Sequence, residues 1–210
     1  MPFLLPYLVF LLLGGICMLT WTKTEIHLYI NEHTHGTADL FFRMATFFGD
    51  GILVGILVLL FLLYRIRNGL LILISGLIAG IITQTLKHTL FSHMERPKKF
   101  FEGVHQLYLV PGVENYGGHA FPSGHSASAF ALYFALAIIT PNKFLKFLFI
   151  LIALLVGFSR IYLSQHFLQD VYAGSLLGIC STVLAFMILT RIEFFRKASR
   201  MDYSFFKSRI

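Results

Sequence analysis

Charge is what this chain has least of. Asp, Glu, Lys and Arg make up 13% of its 210 residues, roughly half of what a soluble domain carries. That scarcity, with 57% hydrophobic residues and a strongly positive mean hydropathy, excludes a water-soluble globule. It predicts an integral membrane protein, most simply one domain. Cysteine is almost missing too. Cys17 and Cys180 both lie inside apolar runs, say nothing about redox compartment and read as small core residues. There is no internal repeat, no low-complexity linker, and no HExxH or comparable ligand spacing among the histidines, so no metal site or cofactor is expected.

What is there is a series of long apolar runs. The first, about residues 3–21, is long enough to span a bilayer and lacks the basic leader and small-residue cleavage site of a signal peptide. It reads as a retained helix with Pro6 in its first turns; an uncleaved signal anchor would look similar. Residues 22–50 are mixed, with His27, His33 and His35 among acidic groups ahead of Leu40-Phe41-Phe42-Arg43-Met44. The pattern predicts a loop followed by an amphipathic interfacial helix, its histidines solvated. Further spans are expected at 51–64, 70–90, 123–140, 144–158 and 167–190, which makes an all-α membrane bundle of six helices. Gly76, Ala79, Gly80, Ser126, Ala127, Ser128, Ala129, Gly174, Ser175 and Gly178 supply small residues for close helix approach. The signature-bearing core is about 70–190, with a basic tail at 191–210.

Six spans put Arg65, Arg67, Lys143, Lys146 and the basic tail on one side. By the positive-inside rule that side, with both termini, is cytoplasmic. The expected location is therefore the inner (plasma) membrane. The formal charge of +7 is mostly a topology signal with some attraction to anionic lipid, and no nucleic acid partner is expected. Residues 91–121 and the turn at 160–166 fall on the opposite, outer-leaflet face.

Three separated stretches meet on that outer face. They are Lys87 with Arg96-Pro97, then Pro122-Ser123-Gly124-His125, then Arg160, His166 and Asp170. Ionisable groups beside apolar spans are expensive and are kept for function. His166 and Asp170 are four apart, so on a helix the carboxylate lies below the imidazole, holds Nδ1 and leaves Nε2 as a nucleophile or base. The same spacing would also serve a plain helix-surface hydrogen bond, and the neighbours decide. Ser123-Gly124 opens a helix whose free N–H groups suit an anion. Arginine matches phosphate oxygens two at a time, and lysine adds a point charge. The set suits phosphoryl transfer, in which catalysis is positioning and charge stabilisation.

These residues resemble the three-part signature of the type 2 phosphatidic acid phosphatases, relatives of the vanadium haloperoxidases and bacterial acid phosphatases. The second and third parts match without exception. In the first, eight residues, His88 to Glu95, separate Lys87 from Arg96, more than is usual in the family. Nine positions turn a helix through about half a circle, so the two cannot share a face of one continuous helix. Either an enlarged turn at 92–95 leaves Lys87 aimed at the site, or Lys98 or Lys99 supplies the charge. The resemblance implies six spans with the site at the outer leaflet. It implies that His166 takes the phosphoryl group as nucleophile, that Asp170 orients it, and that His125 is the acid and then the base. Lys87, Arg96, Arg160, Ser123 and the Gly124 N–H would bind phosphate oxygens, without metal.

The expected partner is a phosphorylated membrane lipid in the bilayer: a polyprenyl pyrophosphate, phosphatidylglycerol phosphate or phosphatidate. The alternatives are a lipid A phosphatase or a transferase passing the phosphoryl or head group to another acceptor. A protein that only binds phosphate head groups would not need a tautomer-fixed imidazole. The size and outward-facing site look most like a bacterial enzyme. No oligomeric state follows from the sequence.

Overall fold

In the computed structural model, which describes residues 2–192, the chain is all-helical with no strand among the described residues. Nine helices are described there. They are α1 (Leu4–Thr20), α2 (Lys23–Glu32), α3 (Gly36–Phe47), α4 (Gly51–Tyr64), α5 (Ile66–His88), α6 (Pro97–Phe100), α7 (Gly124–Ile139), α8 (Lys143–Tyr162) and α9 (Leu168–Arg191). Their starts follow local chemistry. Thr22 and Glu25 form a reciprocal capping box on α2, with Thr22 N–H donating to Glu25 Oε2 at 2.7 Å and Glu25 N–H to Thr22 Oγ1 at 3.2 Å. Asp50 caps α4 and Asn142 caps α8 through their side-chain oxygens.

All six expected apolar runs are helical, but the span count differs. α5, α8 and α9 are each long and apolar enough to cross a membrane, and the count reaches five if each bent pair, α1 with α2 and α3 with α4, is one span. The α7 helix is apolar but shorter, at 16 residues. The bends are 108° between α1 and α2 and 44° between α3 and α4. Residues 22–50 therefore differ from the expected loop and single interfacial helix: they form two helices, α2 and α3, folded back onto α8 and α9. The α8 helix also runs four residues past the expected end at Phe158, so Arg160 lies within its last turn. Of the basic tail, only Arg191 and Ile192 fall within the described residues.

The α7 helix is buried nearly all round, as a helix with apolar or small residues on every face must be. It packs on α9, α8 and α5, while α4 leans on α5 and α3 on α8. The α7–α9 contact depends on the absence of side chains. A Cβ at Gly178 would stand 2.5 Å from Ala127 O, and one at Gly174 2.5 Å from Ser123 O. The backbones approach so closely that Thr182 Oγ1 donates across to Ala131 O at 3.0 Å. Phe3, Tyr7, Phe130 and Phe134 fill the adjoining core.

His27 corrects the expectation of three solvated histidines. His33 and His35 are exposed, but His27 is 1% exposed, wedged against Phe101 and Phe167 with Nε2 3.3 Å from Ser164 Oγ. Bending α2 back over the bundle turns that face inward. At the other end of the bundle a cavity is lined by Arg65, Arg67, Asn68, Ile138, Ile139 and Phe186, so the start of α5 meets the ends of α7 and α9. Everything discussed below lies at the opposite end of these helices.

Gly178→Leu should destabilise the protein by about 3 kcal/mol, because the atom it meets is backbone and cannot swing aside. A Cβ at Gly55 meets nothing within 4 Å, so Gly55→Leu should hold or raise the melting midpoint in detergent.

Candidate active site

The elements above bring the three sequence stretches to one cavity of about 320 Å³, whose walls include Lys87, Arg96, Gly124, His125, Arg160 and His166. Lys87 comes from the last turn of α5, Arg96 from the N-cap of α6, and Gly124 and His125 from the first turn of α7. Arg160 closes α8, and His166 stands in the link before α9.

Of the three candidate lysines, Lys87 lines the cavity and Lys98 and Lys99 do not. The α5 helix stops at His88, and residues 89–93 form a turn in which Phe91 N–H donates to Leu86 O at 2.9 Å. The extra residues are spent there, so Lys87 and Arg96 need not share a helix face. A Cβ on Gly124 would lie 4.0 Å from Lys87 Nζ, which places the ammonium directly at the start of α7. Lys98 and Lys99 are exposed, and Lys99 pairs with Glu95 at 3.1 Å. The expected turn at 92–95 therefore begins three residues earlier, at Thr89.

His166 is 1% exposed, yet it forms part of the cavity wall. Its Nδ1 lies 3.3 Å from Asp170 Oδ2, and the same oxygen accepts the Phe167 N–H at 3.0 Å. The pair is not a helix i, i+4 contact as expected, because His166 precedes α9. Asp170 is the third residue of that helix and reaches back over its open N-terminus, where a carboxylate is favoured by the free N–H groups. One carboxylate thus caps the helix and holds the imidazole, leaving Nε2 as the ring nitrogen for the cavity. Burial first, then the positive charges of Arg96, Arg160 and Lys87, hold the His166 pKa well below its ordinary value.

The three cations are drawn together with Asp170 and Asp50 nearby but not in direct contact. Among the described residues, none of Lys87, Arg96 and Arg160 forms an ion pair with a carboxylate. Arg160 is 7% exposed; its Nη1 donates to Thr46 Oγ1 at 2.6 Å, and its buried Nε has no hydrogen-bond partner among the described residues. Buried cations gathered this way are costly unless an anion joins them.

Ser123 is placed differently from expectation. It is fully buried and is not part of the cavity wall. Its Oγ accepts the Ser126 N–H at 3.4 Å and the Ser126 hydroxyl at 2.9 Å, while its own N–H donates to Asp170 O at 2.9 Å. It caps α7 and ties it to α9, leaving the Gly124 end of α7 to face the cavity.

Four further residues belong to the site and escaped the sequence reading. Asp50, the α4 cap, puts Oδ2 3.7 Å from His125 Nε2. Thr46 holds Arg160, and Gln165 lies between the two arginines. Asn115 in turn meets Gln165. Tyr116 is also in the cavity wall. The turn carrying Asp50 fits because Gly49 has no side chain: a Cβ there would stand 2.9 Å from His125 O and 2.5 Å from Val156 Cγ1. The adjacency of Gln165 to His166 was the one available signal. Thr46 and Arg160 are 114 positions apart, and no local pattern links them.

The chain is thus a helical bundle with apolar helices of membrane-spanning length that gathers three cations and a carboxylate-held histidine at one end. The chain belongs to the PAP2 superfamily, which it matches over residues 68–193. It is 26% identical over 162 residues to the lipid A 4'-phosphatase of Porphyromonas gingivalis, covering 75% of this chain and 68% of that one. Its fold is similar to Aquifex aeolicus LpxE, with a TM-score of 0.69, 24% identity, and coverage of 78% of this chain and 94% of that one. It is also similar to the transmembrane PAP2-type phosphatidylglycerolphosphate phosphatase of Bacillus subtilis, with a TM-score of 0.65, 23% identity, and coverage of 91% and 98%.

The lowered His166 pKa predicts a pH-dependent contribution to stability. The unfolded chain takes up a proton near pH 6.5 that the folded chain refuses, so the contribution is complete above that pH and drains away below it. Lowering the pH from about 7.5 to about 5.5 should therefore depress the wild-type Tm more than that of His166→Gln. Equal slopes would show that His166 is not held neutral.

Proposed function

We propose that this protein is a membrane lipid phosphatase that hydrolyses a phosphomonoester or pyrophosphate of a bilayer lipid through a phosphohistidine. The observation that carries the reading is the cluster of Lys87, Arg96 and Arg160, unpaired with carboxylates among the described residues, around an imidazole held by Asp170. A dianionic phosphate supplies the charge this cluster lacks.

In the first step His166 Nε2 attacks phosphorus and the bond to the lipid oxygen breaks. His125 gives its proton to that leaving oxygen. In the second step water attacks the phosphohistidine, and His125 accepts its proton. Orthophosphate leaves and His166 is restored. The cations and the N-terminus of α7 stabilise charge on the phosphoryl oxygens in both steps.

Polyprenyl pyrophosphate, phosphatidylglycerol phosphate and phosphatidate share the group this cavity fits. A lipid A phosphate is the second reading, favoured by similarity to the P. gingivalis relative that carries that name. A transferase would use the same phosphohistidine with another acceptor in place of water. We further place the site on the extracytoplasmic side of the inner membrane and the termini in the cytoplasm. That placement is supported by the cluster of Arg65 and Arg67 at the far end of the bundle.

Purified protein in detergent with EDTA should release orthophosphate from at least one of undecaprenyl pyrophosphate, phosphatidylglycerol phosphate, phosphatidate or lipid A. His166→Ala should lower that rate more than about a thousandfold while eluting as folded protein. A folded, active His166→Ala variant would end the phosphohistidine mechanism, and activity lost in EDTA and restored by one metal would end the metal-free reading.

A further inference from the structure

We propose that Gln165 is the positioning residue that holds Arg96 and Arg160 together on the phosphate and registers the 114–118 loop against them. The inference rests on the phosphate-binding reading above.

Gln165 is 2% exposed, and both ends of its amide are engaged. Its Oε1 accepts from Arg96 Nη1 at 3.0 Å and lies 3.5 Å from Arg160 Nη2. Its Nε2 donates to Glu114 O at 3.1 Å and to Asn115 Oδ1. The amide cannot be reversed: guanidinium groups only donate and a backbone carbonyl only accepts. Arg96 grips the same loop independently. Its backbone N–H donates to Gly117 O at 2.8 Å, its Nε to Gly118 O at 3.1 Å, and its guanidinium lies 5.4 Å from the Tyr116 ring centroid. Gln165 therefore joins a helix end, a loop and two cations brought from different parts of the chain.

The neutrality of this residue matters. Two guanidinium groups repel each other, and an acceptor between them is needed to keep both facing one ligand. A carboxylate would hold them more strongly but would cancel charge that the phosphate requires. An amide oxygen orients the cations and leaves their charge for the substrate. Because its other end fixes the loop, it also sets where Tyr116 stands at the cavity mouth, against whatever adjoins the phosphate.

The test compares wild type with Gln165→Met and Gln165→Glu in detergent, reading phosphate release, inhibition by orthovanadate, and Tm. Gln165→Met, which keeps the shape and loses the hydrogen bonds, should raise KM and the vanadate inhibition constant together by about tenfold, with kcat changed less. Gln165→Glu should weaken vanadate inhibition at least as much, because it neutralises one cation. KM and vanadate inhibition equal to wild type in a folded Gln165→Met would overturn the proposal. Should Gln165→Met fail to fold, wild-type vanadate affinity in Gln165→Glu overturns it instead. If the wild type hydrolyses none of the four lipids, the phosphatase reading fails by itself. Calorimetric binding of orthovanadate to the same proteins still reads Gln165, with equal affinities the overturning result.

Discussion

The arrangement turns on placing three positive charges around one buried imidazole without pairing any of them with a carboxylate. Left to themselves the cations would repel one another and draw water or carboxylates in. Here each is held by neutral or distant partners: Arg160 by Thr46, Arg96 by carbonyls of the 117–118 turn, and both by Gln165. Lys87 is carried in on the last turn of α5. The scaffold supplies rigidity, and on the proposed reading a bound phosphate supplies the missing charge, which is how a preorganised electrostatic site acts.

That site depends on packing some distance from it. Gly174 and Gly178 let α9 touch the α7 backbone, and Ser123 N–H bonds to Asp170 O where the two helices begin. The contact fixes the N-terminus of α7 beside the residue that holds His166. Asp170 serves the same geometry twice, as helix cap and imidazole partner, so the histidine is positioned by the element that follows it. Gly49 does for the α3–α4 turn what the other glycines do for α9, bringing Asp50 within 3.7 Å of His125. Each close approach exists because a side chain is missing.

Much of this was legible in the residues. Apolar runs of spanning length and the scarcity of charge announced a helical membrane bundle, because lipid tolerates little else. The cations and histidines at the ends of those runs marked the candidate site, because ionisable groups beside lipid are costly and point to function by default. Residues 22–50 were not legible. Their mixed composition is the same whether they lie along an interface or fold back, and only the bends after Thr20 and Phe47 turn His27 and Thr46 inward. The placement of the Ser123 hydroxyl was not legible for a related reason. A serine opening a helix looks alike whether its hydroxyl faces a ligand or its own helix.

By itself, the sequence determined the class of structure, the positions of the apolar helices, and the kind of chemistry that Lys87, Arg96, His125, Arg160, His166 and Asp170 can perform. These follow from residue type and local spacing, which solvent and backbone geometry act on directly. Only the tertiary structure decided that Lys87 rather than Lys98 or Lys99 enters the cavity. It also decided that Asp170 works across a helix cap, and that Asp50, Thr46 and Gln165 stand behind the wall, each against a residue that lines it. Those relations join residues remote in the chain or set by the length of a turn, and they exist only once the helices have packed.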